Sequence, residues 1–294
     1  AGRVCELAYE WRKLNLKRVR HIVLDEVDEA LRVPHLEHTT RIIESFQDGR
    51  PKQIIFSSAT ADSPVVRRTA YQLMESPALF NLQLLAHDGE TSTGPTMLPT
   101  NMIHAVCSVQ RHKQLEVLSR FARTSPSPKA LVFVNSPHRV RIVCERLRCA
   151  YGVPAEALFG DQEREERVRV MRAVHEGNVP LLVSTEMGAR GLDIPALTHV
   201  VNLELPTDEL HYVHRAGRCA RAGAHGTVLS LVPASDMPIV SKLTSRLNLK
   251  LQQMRVHSGQ ATLSPLRTAG VRRSIQSSQR SSLLAAPQAP REQS

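Results

Sequence analysis

The 294-residue sequence has no apolar run approaching the roughly 18 residues that a membrane-spanning helix needs, so no segment is expected to cross a bilayer in that form. Its five cysteines (Cys5, Cys107, Cys144, Cys149 and Cys219) are odd in number, and none falls in a C-x-x-C pair. Neither a disulfide framework nor a zinc site is indicated, and a soluble protein of a reducing compartment is expected. Also missing is any G-x-x-x-x-G-K-[ST] stretch, the loop whose backbone amides cradle nucleotide phosphates. The chain begins at Ala1 rather than Met, so a preceding N-terminal portion is expected, and any targeting peptide with it. The compartment is then not legible.

What is present is ordinary in bulk. A hydrophobic share of 41% with 22% charged residues excludes a chain disordered throughout. At roughly 150 residues per domain, the length suggests about two domains. Charge is less ordinary: 38 basic against 28 acidic side chains leave +10, with a pI near 9.8, which favours a polyanionic partner such as nucleic acid. Its distribution is uneven. Residues 1–90 carry 12 basic and 13 acidic groups, 91–253 carry 20 and 14, and 254–294 carry 6 and 1.

Short β-branched and aliphatic runs alternate with longer amphipathic stretches. The runs are Arg20–Leu24, Gln53–Ser57, Ile103–Val109, Ala130–Asn135, Leu181–Thr185, His199–Leu203 and Gly226–Val232. Continuous apolar runs suit strands buried on both faces of a parallel sheet. Helical patterning falls between them, over Glu37–Gln47, Val65–Met74, Lys113–Arg123, His138–Ala150, Gln162–Glu176, Asp208–Arg218 and Met237–Leu247. Strand then helix, repeated, predicts an α/β fold with ligands at the carboxyl ends of the strands. The Gly-, Thr- and Pro-rich stretch His87–Pro99 breaks this pattern and reads as a linker. Upstream stand two strands and a candidate third at Ala78–Leu82, too few for a complete sheet. Downstream, residues 101–250 supply about six strands and five or six helices, a whole domain. The division expected is 1–86, a linker over 87–100, 101–253, and a basic disordered tail over 254–294, rich in Ser, Gln and Arg.

The run Ile22-Val23-Leu24 ends in Asp25-Glu26-Val27-Asp28. Two adjacent carboxylates at a strand end suit a nucleotide hydrolase, one acid holding Mg²⁺ and the next polarising water. Acidic residues also begin helices, where they favour the helix dipole, and alone the pattern leaves both readings open. Ile54-Ile55-Phe56-Ser57 likewise runs into Ser58-Ala59-Thr60, whose hydroxyls suit a helix cap as well as a site. Two further stretches follow: Thr185–Ile194 (TEMGARGLDI) and His214–Arg221 (HRAGRCAR).

Taken in this order and spacing, the four stretches resemble motifs II, III, V and VI of the DEAD-box RNA helicases, and the resemblance covers roughly residues 1–250. Gly2-Arg3 resembles the end of the family's TPGR motif, and Ala130–Ser136 resembles motif IV. Gly160–Gly177 resembles the segment carrying the QxxR motif, with Arg164 at the Gln position and Arg167 kept. Three departures stand out: Glu186 for the Asp after the motif V threonine, Cys219-Ala220 for Thr-Gly in motif VI, and Val27 for Ala in the acidic box. Val27 is expected to point into core packing. The stretch NLELPTDELHYVHRAGR is similar to plant or algal plastid members of the family.

The resemblance implies tandem RecA-like lobes with parallel sheets, the first incomplete, acting as an RNA-stimulated ATPase that unwinds or remodels RNA. It implies that Asp25 holds Mg²⁺ through water and that Glu26 activates the attacking water. Arg218 and Arg221 would reach the γ-phosphate of ATP, and Asp193 with Gly191 would contact the nucleotide. Asp28, Ser58, Thr60 and His214 would couple the lobes. Gly2, Arg3, Asn135, Arg167, Thr185, Gly188 and Arg190 would hold RNA through its backbone, without sequence preference. A monomer is implied, with target choice left to flanking regions or protein cofactors. With no phosphate loop, the chain alone is expected not to turn over ATP. The alternative is a non-catalytic RNA-binding scaffold on the same fold.

Overall fold

The computed structural model describes residues 2–266, apart from 17–18, 32–34, 45–52, 59–60, 62, 81–97, 100, 125–126, 193, 195–196 and 258. The chain divides into two compact units, Ala1–Met97 and Leu98–Ser294.

In the first unit, α1 (Gly2–Cys5) continues into a π-helical turn over Glu6–Glu10. Strands β1 (His21–Leu24) and β2 (Gln53–Phe56) pair in parallel, with His21 opposite Gln53 and Leu24 opposite Phe56. Between them lie α2 (Val27–Ala30) and α3 (Leu36–Glu44), and α4 (Pro64–Leu73) follows. The start of α4 is local chemistry: Ser63 Oγ accepts from Val66 N–H, and Pro64 occupies the first turn, where no amide is needed. The β1 run does not lie buried on both faces as expected. Ile22 packs with Cys5 and Ile42, whereas Val23 and its partner Ile55 are exposed, because no described element covers that face. Residues 78–80 of the candidate third strand form none, and the rest of it lies outside the described residues.

The second unit is an eight-stranded sheet in the order β10-β9-β3-β8-β7-β4-β6-β5. Its strands are β3 (Met102–Ser108), β4 (Ala130–Phe133), β5 (Ala155–Leu158), β6 (Leu181–Ser184), β7 (His199–Asn202), β8 (Gly226–Val232), β9 (Leu251–His257) and β10 (Gln260–Pro265). All pairings are parallel except the terminal β9–β10 hairpin. Every residue of β4 and β6 is buried, as their unbroken apolar runs require. One face is covered by α5 (Gln114–Ala122) and α6 (Pro137–Cys149), through Leu118, Phe121, Val140, Val143 and Leu147. The other is covered by α7 (Arg164–His175) and α9 (Glu209–Ala216), through Val170, Val174, Tyr212, Val213 and Ala216. The short α8 (Glu186–Ala189) follows β6, and α10 (Met237–Arg246) precedes the hairpin.

Two expectations need correction. The tail is not irregular from residue 254: Met254–His257 of β9 pair with β10, and Met254 is buried in the core. Its Gln- and Arg-rich sequence hides the strand because only one of its residues points fully inward. Residues 267–294 of the expected tail lie outside the described residues. At the linker's far end, Leu98 is buried with Met102 in the second unit's core, so that unit begins before residue 101; most of 87–100 lies outside the described residues.

Candidate functional sites

The acidic stretch of the first unit sits where β1 ends. Asp25 is exposed, and its Oδ1 accepts from Glu26 N–H at 3.0 Å. Glu26 adopts the left-handed region (φ 49°, ψ 47°), an uncommon conformation for a residue with a side chain. Its carbonyl then accepts from Glu29 and Ala30 N–H and starts α2. Val27 is fully buried against Leu31 and Val66, as expected. Two backbone bonds fasten this turn to the end of β2: Ser57 N–H donates to Leu24 O (2.8 Å), and Val27 N–H donates to Ser57 O (3.0 Å). Ser58 therefore follows directly on the residue that holds the acidic turn, and Asp28 is buried on α2. Thr60 lies outside the described residues. Gly2 and Arg3 lie in α1, and a Cβ on Gly2 would meet nothing within 4 Å.

In the second unit the expected residues gather at the carboxyl ends of β4, β6 and β7. Thr185 caps α8, its hydroxyl accepting from Gly188 N–H at 3.1 Å. The carbonyl of Gly188 accepts from Arg167 Nη2, also at 3.1 Å, so α7 clamps α8. Glycine is required there, since a Cβ would stand 2.7 Å from both Leu158 O and Ser184 Oγ. Arg190 ends α8 and Gly191 follows at φ 64°, while Asp193 lies outside the described residues.

Beyond α9 the arginines fold back on the helix end. Arg218 Nε donates to His214 O at 3.2 Å, and Arg221 Nε donates to Gly217 O at 3.1 Å. Between them Ala220 holds φ 56°, where the family pattern has a glycine. Space for Cys219-Ala220 comes from Gly226, whose absent Cβ would stand within 2.9 Å of both.

Sequence reasoning missed three residues that organise this end of the sheet, Arg215, Asn202 and Glu204. Arg215 is 3% exposed and donates to Asn202 Oδ1 (3.2 Å), Glu204 O (2.8 Å) and Asn135 Oδ1 (2.8 Å), with its guanidinium over the Phe133 ring. Burial disfavours its charge, and the Glu186 carboxylate opposes that effect. Asn135, expected on RNA, has its amide committed within the unit, its Nδ2 donating to Leu205 O. Glu204 accepts from Asn135 N–H and Arg139 Nε. The signal for Arg215 was its place next to His214. Asn202 and Glu204 lay in the stretch Val201–Pro206 (VNLELP), whose polar letters on a buried run were the clue.

The two units carry strand-end constellations of one class: α/β units of RecA-like fold in tandem, with acids on the first and arginines on the second. Residues 1–69 match the family model "DEAD/DEAH box helicase", and residues 113–223 match "Helicase conserved C-terminal domain". The DEAD-box ATP-dependent RNA helicase CshA of Geobacillus kaustophilus is 31% identical over 82% of this chain and 49% of its own length. That of Bacillus cereus strain ATCC 10987 is 32% identical over 83% of this chain and 44% of its own length. The structure of S. cerevisiae Dbp5 bound to RNA and ADP BeF3 superposes with a TM-score of 0.72 at 24% identity, over 86% of this chain and 63% of that one. This protein belongs to the DEAD-box helicase family. The chain spans about half the length of the curated relatives it matches. Among its described residues no helix is long and apolar enough to cross a membrane.

Proposed function

We propose that this chain is part of an ATP-dependent RNA helicase, with Ala1–Met97 belonging to the nucleotide-binding lobe and Leu98 onward to the second lobe. The observation that carries the reading is the pair of backbone hydrogen bonds between Ser57, at the end of β2, and Leu24 and Val27, the residues that bracket Asp25-Glu26 at the end of β1. Glu26 polarises the attacking water, and Asp25 places an oxygen ligand for the cation. Among the described residues no three His, Cys, Asp or Glu side chains gather as a metal cage. One exposed carboxylate fits Mg²⁺, which keeps most of its waters and shares its remaining ligands with phosphates. When bound, the cation neutralises phosphate charge.

Arg218 and Arg221 bring positive charge to the γ-phosphate, where transfer depends on positioning and electrostatics. Asp193 and Gly191 contact the nucleotide. Asp28, Ser58, Thr60 and His214 link hydrolysis to RNA. Arg167, Thr185, Gly188 and Arg190, with Gly2 and Arg3, hold single-stranded RNA by its backbone. For Asn135 the committed amide favours organising Arg215 over touching RNA.

The test is phosphate release with and without single-stranded RNA. The 294-residue chain alone releases phosphate at background, because it contains no G-x-x-x-x-G-K-[ST] loop. Joined to a segment carrying that loop, it gains RNA-stimulated turnover, and Glu26→Gln lowers this by at least about 100-fold. Turnover indifferent to RNA sinks the reading. The second reading is a non-catalytic RNA-binding scaffold on the same fold. That reading wins if the chain binds RNA and the joined protein never hydrolyses ATP.

A further inference from the structure

Glu186 departs from the family pattern by one methylene, and the structure gives the longer side chain a place to reach. Its carboxylate is 14% exposed, with Oε1 3.5 Å from His214 Nδ1 and 3.9 Å from His211 Nε2, and Oε2 3.6 Å from Arg215 Nε. Positions 211, 214 and 215 share one face of α9, so a single carboxylate meets three cation-forming side chains of one helix. Asp208 is the other acid on that face, 2.6 Å from His211 Nδ1.

We infer that Glu186 is a positioning residue that passes the state of the strand-end segment 185–190 to Arg218, just beyond the C-terminal end of α9. This rests on the helicase reading above. On one side, α8 has little freedom: Thr185 caps it, Arg167 grips the Gly188 carbonyl, and Gly188 lies too close to Leu158 and Ser184 for any side chain. A ligand on Thr185 or Gly188 therefore moves α8 as one piece. On the other side, Arg215 is anchored to β4 and β7 through Asn135, Asn202 and the Glu204 carbonyl, so it acts as a fixed post. Glu186, carried on α8, faces this post and His214 at ion-pair rather than hydrogen-bond distances, which a shift of a few tenths of an ångström would shorten or lengthen. His214 then hands the change on, because its carbonyl holds Arg218 Nε at 3.2 Å.

Burial pushes the Glu186 carboxyl up, but His214, His211 and Arg215 outweigh it and hold the group below the usual carboxylate range. It is therefore ionised at neutral pH and attracts the post and the relay together. Asp at this position would be one methylene short of the same three groups.

The test uses the 294-residue chain with a fluorescein-labelled decauridylate. Anisotropy gives affinity, and side-chain NMR of His214 Cε1 and Arg218 Nε reports the relay. In Glu186→Gln, affinity stays within about twofold while the RNA-induced shifts of both signals fall at least threefold. Glu186→Asp, which keeps the charge but is one methylene short, recovers less than half of the loss. A merely structural role would displace these signals without RNA and leave the RNA-dependent part intact. Shifts in Glu186→Gln equal to wild type, or RNA bound to wild type with no shift at His214, overturn the inference. A wild-type chain that binds no decauridylate counts against the RNA reading instead. Titration of His214 then judges Glu186 alone: its midpoint falls in Glu186→Gln if the contact operates, and an unchanged midpoint overturns it.

Discussion

Arg215 Nη2 donates to Asn135 Oδ1 at 2.8 Å, joining α9 to the end of β4 across 80 positions of sequence. The arginine is 3% exposed, and its other bonds reach β7 and the residue two beyond it. Removing it leaves two side-chain amide oxygens, the Glu204 carbonyl and the half-buried Glu186 without their cation. Arg215→Ala should destabilise the second unit by about 3 kcal/mol. Arg215→Lys should recover only part of this, since an ammonium cannot span the same three acceptors. Urea unfolding measures both, and a loss below about 1 kcal/mol for the alanine variant contradicts the buried-post role.

Gly188 has no room for a methyl group. A Cβ there would lie 2.7 Å from the Leu158 carbonyl and 2.8 Å from Phe159 Cα, both backbone atoms that cannot swing aside. Gly188→Ala should cost about 2 kcal/mol and displace α8 from Arg167. RNA binding should weaken with it, more than in a surface variant of equal stability such as one at the exposed Val168. Anisotropy and thermal unfolding together separate the two effects.

Stability should fall as the medium is acidified, through the buried His104 and the half-buried His199. His104 is 5% exposed, with Nδ1 2.7 Å from the Tyr212 hydroxyl, and burial lowers its pKa from 6.5 to about 4. His199, edge-on to Phe121 at 5.0 Å, is likewise lowered by burial to about 4. Between pH 6.5 and 4 the unfolded chain binds these protons and the folded one does not, so stability rises with pH across that window and is complete above it. The contribution is at most about 3 kcal/mol for each histidine. Denaturation midpoints measured from pH 4 to 8 check the slope, and His104→Gln should flatten it.

Truncation should distinguish a strand from a basic extension. Deleting 254–294 removes most of β9, whose first residues pair with β3, and the buried Met254, so the second unit should lose stability. Deleting 267–294 removes five arginines and one glutamate and should leave unfolding unchanged. If those arginines meet RNA, the second deletion also flattens the salt dependence of binding; equal slopes would show that they do not.

Much of the second unit was readable because its signals are local. Ser136-Pro137 starts α6, with Ser136 Oγ accepting from Arg139 N–H, and Asp208 starts α9 in the same way through His211 N–H. Fully apolar runs marked β4 and β6. The edge strand β5 escaped because Ala-Glu-Ala-Leu has neither β-branched residues nor clean alternation, and only its pairing with β6 makes it a strand. The outer hairpin escaped as well, because one of its strands is exposed along its whole length. In the first unit the run of β1 was legible as a strand, but burial on both faces was not its outcome, since burial is a property of neighbours.

The sequence by itself determined the family, the order of the strand-end motifs and the core position of Val27, because each depends on residues close together in the chain. Tertiary structure alone decided which charges meet. That Asn135 serves Arg215, and that the departure at Glu186 lands among His211, His214 and Arg215, follows from strand order and from burial. Burial matters because an ion pair gains strength as water is excluded, and no spacing in a linear chain states which distant groups lose their water together.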